Sequence, residues 1–97
     1  MPGPPSYDTA FARLRDVFTL YQTSPGVLVN SLELGDRTRD ASRAALAGGV
    51  PFVALCAEFG RVAAESLPHD RMAAIRVGRA MMRWAGPVYD RAAMAAG

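Results

Sequence analysis

VPFVALCAEFGRVAAESLPHDRMAAIRVGRAMMRWAG, residues 50–86, decides how the rest of the chain folds. Two stretches with helical periodicity, Pro51–Ser66 and Arg71–Ala85, flank the short turn Leu67-Pro68-His69-Asp70. On the first, Phe52, Leu55, Cys56, Phe59, Val62 and Ala63 recur every three to four residues, while Glu58, Arg61 and Glu65 make an opposite, solvated face. Gly60 sits in mid-helix at a cost of about 1 kcal/mol relative to alanine. A close helix–helix crossing at that point would offset it. Projected at about 100° per residue, the second stretch puts Val77, Met81 and Trp84 on one face with Ala73, Ala74 and Ala80. Arg76, Arg79 and Arg83 form a narrow stripe, and Met72, Ile75 and Met82 a second apolar flank beyond it. A helix apolar on two flanks is either central in the fold or shared with a partner.

Upstream, residues 1–5 (Met-Pro-Gly-Pro-Pro) read as a flexible lead, and 6–97 as one α-helical domain. Ser6 is an N-cap with Asp8 set against the helix dipole. Tyr7, Phe11, Leu14, Phe18 and Tyr21 then form one apolar stripe, which predicts a first helix over about 7–22. Ser24 followed by Pro25 has the N-cap and first-position pattern of a second helix, about 25–34, which Gly35 ends. A strand is the competing reading there, because Val27, Leu28 and Val29 favour β structure. Asp36 caps a third helix, about 37–47, whose thin apolar face suggests a surface position before Gly48-Gly49 stops it. At the other end Gly86-Pro87 breaks the fifth helix, leaving Val88–Ala95 for a short last one. The expected architecture is all-α: a compact bundle of five to six short helices in one domain, with Phe11, Leu14, Phe18, Leu55, Phe59, Val77, Met81 and Trp84 in its core.

Composition limits what such a bundle can do. Hydrophobic residues make up 51% of the 97 and charged residues 21%, a globular balance. Much of that apolar fraction is alanine, so packing depends on close helix approach and a few large anchors. All eleven cations are arginine; residues 1–66 carry six against seven carboxylates, whereas 67–97 carry five against two. The basic end therefore suits a phosphate or an acidic protein. One cysteine forms no intrachain disulfide, no apolar run is long enough to span a bilayer, and no signal-peptide pattern opens the chain. A cytoplasmic protein with no membrane contact is the expectation.

No constellation of catalytic or metal-binding residues emerges. Cys56 lies on the apolar face with no cation one turn away to lower its pKa. Ser66, His69 and Asp70 fall in a single turn, where capping and exposure explain them better than a triad does. Asp36 and Asp40 are surrounded by Arg37, Arg39 and Arg43, which suits ion pairing more than acid–base work. Neither C-x-x-C nor E-x-x-H is present, nor a glycine-rich phosphate loop. No cofactor or metal is expected.

Two stretches resemble known families, and each lacks a defining feature of the family. Trp84-Ala85-Gly86 fits the W-x-G turn of small secreted helical-hairpin proteins, but it lies near the end of the chain, not between two long helices. Leu55–Gly60 with Val77-Gly78 resembles the second half of an acyl carrier protein, yet Ala44-Ala45-Leu46 stands where Asp-Ser-Leu would take the prosthetic arm.

What remains is a small non-enzymatic interaction or regulatory module acting through protein–protein contacts, with homodimerisation as one form of it. Met72, Ile75 and Met82 are the candidate partner-binding residues, and Arg71, Arg76, Arg79 and Arg83 the candidates for phosphate or an acidic partner. The alternative is a DNA- or RNA-binding regulator that reads through the basic fifth helix. Its would-be reading end carries Met72, Ala73 and Ala74, where base-contacting polar residues belong.

Overall fold

Ser6 opens α1, Tyr7–Leu20, by accepting the Thr9 N–H on its hydroxyl (3.2 Å). This satisfies one of the orphan donors of a helix start. Phe11, Leu14, Val17 and Phe18 turn inward and are all but fully buried. The computed structural model describes residues 6–20 and 25–96, without the side chains of residues 25 and 26. The expected last turn of α1 at Tyr21 and the cap at Ser24 thus lie outside the described residues.

The next segment divides differently from the sequence expectation. α2, Pro25–Leu28, is a single turn, and α3 runs from Leu32 to Ala47. Ser31, not Asp36, caps α3, its hydroxyl accepting the Leu34 N–H at 3.4 Å. Gly35 and Asp36, read as a helix stop and a helix start, both lie inside α3. What Gly35 accommodates is Trp84. A Cβ on Gly35 would stand 2.9 Å from the indole Cε2, so this glycine is a notch that lets the ring reach the α3 backbone. The guanidinium of Arg39, one turn on, lies 4.8 Å from the Trp84 ring centroid and adds a cation–π contact. Gly48-Gly49 does end α3, with Gly49 at φ +75, a left-handed conformation that suits a residue without Cβ.

α3 is not a surface helix. Leu34, Thr38, Ala41, Ser42, Ala44 and Ala45 are buried, and the helix packs against both α1 and α5. Two of these residues are polar, which hides the face from a hydrophobicity count. Ser42 is satisfied within its own helix, donating to the Thr38 carbonyl at 2.7 Å. The Thr38 hydroxyl is the one buried side-chain polar atom without a partner among the described residues.

α4 spans Phe52–Ser66 and α5 spans Arg71–Ala96. Asp70 caps α5 as expected, its Oδ1 accepting the Ala73 N–H at 2.9 Å. The two helices are antiparallel: Phe52 meets Tyr89 (ring centroids 5.2 Å apart), and a Cβ on Gly78 would lie 3.9 Å from the Gly60 Cα. Gly86-Pro87 does not break α5. Proline removes the bond to the Arg83 carbonyl one turn back and crowds it, but Arg83 and Pro87 are both exposed, so that carbonyl can tilt out to solvent. Beyond it Tyr89 holds the helix down, its hydroxyl donating to the Val50 carbonyl at 2.6 Å.

Four helices, not five or six, therefore carry the fold, with α2 as a one-turn link. Around the ring, α1 packs on α3, α3 on α5 and α5 on α4, and a smaller α1–α4 contact closes it. Phe11 and Phe59 stack across that closure at 5.8 Å. The expected core residues are buried except Trp84, which is half-buried at the α3–α5 junction. The Cα radius of gyration is 13.1 Å, near the ~12–13 Å of a compact chain this long. No described helix is long and apolar enough to cross a membrane.

Two glycine substitutions should shift stability in opposite directions. Gly35→Ala forces its methyl into Trp84 and should cost about 1–3 kcal/mol despite alanine's better helix propensity. A Cβ at Gly60 meets nothing within 4 Å, so Gly60→Ala should add up to about 1 kcal/mol. Thermal unfolding followed by circular dichroism checks both.

Candidate functional site

The second apolar flank of α5 faces outward. Met72 is 60% exposed, Ile75 39% and Met82 36%, so these large side chains stand on the surface and not in the core. Ile75 and Met82 edge a groove of about 330 Å³ between α4 and α5. Gly60 and Ala64 contribute the α4 wall, Ala74 and Gly78 the α5 side, and Arg71 and Arg79 complete the lining. Of the seven candidate residues, the structure brings Arg71, Ile75, Arg79 and Met82 together there. Met72, Arg76 and Arg83 are exposed outside the groove.

The α4 wall was missed, although the sequence carried a signal for it. Val53, Ala57, Gly60 and Ala64 fall at i, i+4, i+7 and i+11, a second apolar stripe beside the one that packs inward. All four are exposed, Val53 at 80%. The expected reason for Gly60 also changes. Gly78 is the buried glycine facing α4, whereas the missing Cβ of Gly60 points into open space at the groove.

Charge separates α5 from its neighbours. On α3, Arg39 pairs with Asp36, and Asp40 holds Arg43 at 3.3 Å and Arg37 at 3.9 Å. On α4, Arg61 bridges Glu58 (2.6 Å) and Glu65 (2.8 Å). The Arg61 hydrogen bond holds the Glu58 carboxyl below its ordinary range. Arg71, Arg76, Arg79 and Arg83 are exposed, and none is ion-paired among the described residues. A second hollow of about 190 Å³ gathers Arg39, Arg43 and Arg91 around Trp84, Pro87 and Val88, but two of its three cations already hold aspartates.

The groups weighed for catalysis stay apart. Asp70 is committed to capping α5, and no hydrogen bond joins it to Ser66 or His69 among the described residues. Asp36 and Asp40 are engaged by arginines. Cys56 is half-buried, and burial pushes its thiol pKa up, away from the thiolate a nucleophile needs. Among the described residues no three His, Cys, Asp or Glu side chains are grouped to hold a metal ion.

Comparison with protein-family models, curated proteins and solved structures finds no match to this chain.

The state of Cys56 is open to a direct check. With its thiol pKa raised, the folded protein should react with iodoacetamide at pH 8 more slowly than free cysteine does. The rate should climb to the free value in denaturant, as mass spectrometry against time would show.

Proposed function

We propose that this protein is a non-enzymatic interaction module that binds another protein through the joint outer face of α4 and α5. The observation that carries the reading is the exposure of Met72, Ile75 and Met82 on α5, beside a groove walled by Gly60 and Ala64. Large apolar side chains grouped on a surface mark contact sites more often than isolated ones do. Their company strengthens the reading, because methionine and arginine are enriched at protein interfaces. Methionine also adapts its shape to a partner's. Association with a second copy and binding to a different protein are both forms of this function.

Arg71, Arg76, Arg79 and Arg83, without ion pairs among the described residues, favour a second reading, a DNA- or RNA-binding regulator. Phosphate contacts would use those cations. Three large apolar side chains interleaved with them weigh against it, since a phosphate backbone offers nothing to bury them.

Changing Met72, Ile75 and Met82 together to glutamine separates these readings. Glutamine is a good helix former, and exposed positions tolerate such changes at a cost of about 0.5 kcal/mol each. The melting curve should hardly move, while co-purification of a partner identified by mass spectrometry, or a dimer mass in light scattering, should be lost. A variant that unfolds would assign the flank to the core. A salt-sensitive shift of labelled nucleic acid that survives the glutamines and vanishes in Arg76→Ala/Arg79→Ala/Arg83→Ala would favour the second reading.

A further inference from the structure

We infer that the α4–α5 groove seats an amphipathic helix of another protein, whose small apolar stripe is flanked by carboxylates. This deepens the interaction-module reading and rests on it. The argument begins with shape. From Arg71 to Met82 the α5 edge of the groove runs about 17 Å at 1.5 Å per residue, the length of three helical turns. Opposite, Gly60 and Ala64 present almost no side chain, so a second backbone can come close. Ile75 and Met82 supply the apolar edge that such a helix would cover.

Charge selects the occupant. Arg71 and Arg79 line the groove eight residues apart on α5, about 12 Å along its axis. Neither is ion-paired among the described residues, while the arginines of α3 and α4 are. Cations beside an apolar groove are best matched by carboxylates spaced two turns apart on the incoming helix. A second copy of this chain fits less well. Two-fold pairing through α5 would set each copy's Arg71, Arg76, Arg79 and Arg83 against the other's, with no acidic residue on α5 between Arg71 and Tyr89 to offset them. Gly60 fits the same occupant. It costs the helix about 1 kcal/mol, no internal contact requires it, and it keeps the groove open.

The test uses the full chain and two labelled helical peptides of about 18 residues, enough to cover three turns with ends to spare. Both carry the same alanine and leucine stripe at i, i+4, i+7 and i+11. One has glutamates flanking the stripe at two-turn spacing, and the other has arginines there. Fluorescence anisotropy should show the acidic peptide binding at least about tenfold tighter, with the difference shrinking as salt rises. Arg71→Glu/Arg79→Glu should reverse the preference, and Gly60→Leu should abolish binding while the melting temperature holds. Equal binding of both peptides would overturn the charge selection and leave the interaction reading standing. No peptide binding, with a dimer in light scattering that Gly60→Leu dissolves, would make the occupant a second copy. No binding and a clean monomer would overturn the inference, while co-purification of a partner that the triple glutamine variant loses would still decide the reading beneath it.

Discussion

Trp84 against Gly35 is the contact on which the arrangement of helices depends. The chain is rich in alanine, and alanine helices bury little area unless they approach closely. At Gly35 the α3 backbone is bare, and the largest side chain in the molecule reaches it directly. That contact fixes α3 against α5, and α3 in turn carries α1 on another side. With Arg39 also close to the indole, the ring is held between helices instead of being sunk in the centre. A half-buried tryptophan at the junction of two helices thus does what a larger core would do elsewhere.

The same contact accounts for one of the places where the sequence was not legible. The α1 stripe and the inward faces of α4 and α5 are large, apolar and regular, so periodicity alone placed Phe11, Leu14, Phe18, Leu55, Phe59, Val77 and Met81 in the core. Gly35 was misread because a glycine after an apolar pair has two meanings, a stop or a notch. Only the position of Trp84, forty-nine residues on, decides between them. α3 was misread because its buried face includes Thr38 and Ser42. The Ser42 hydroxyl bonds within its own helix and is buried at little cost, the Thr38 hydroxyl is buried without a partner among the described residues, and neither leaves a hydrophobic signal. Pro87 reads as a break in the sequence because proline disfavours helix interiors. Here the single lost bond is offset by Tyr89, whose hydroxyl and ring hold the following turns to Val50 and Phe52.

For the candidate site the division is similar. Met72, Ile75, Met82 and the arginines were visible because their types recur at helical spacing. The α4 wall was not, because small residues carry weak moments and Gly60 looked like a packing device for the core. Position in space, not residue type, changes that meaning. Gly78 takes the place facing α4, which leaves Gly60 with no contact that alanine would spoil.

A mid-helix glycine with open space where its Cβ would stand costs the helix some stability and leaves the groove wall bare. The charge pattern points the same way. α3 and α4 neutralise their arginines with carboxylates one turn away, a local arrangement any helix can make. α5 places no carboxylate between Arg71 and Tyr89, so its cations have no such relief. Exposed charges of one sign beside exposed apolar side chains form a poor surface for an isolated molecule and a good one for a complementary helix. On the proposed reading, partner selection lies with charge, and closeness of fit with the bare backbone at Gly60.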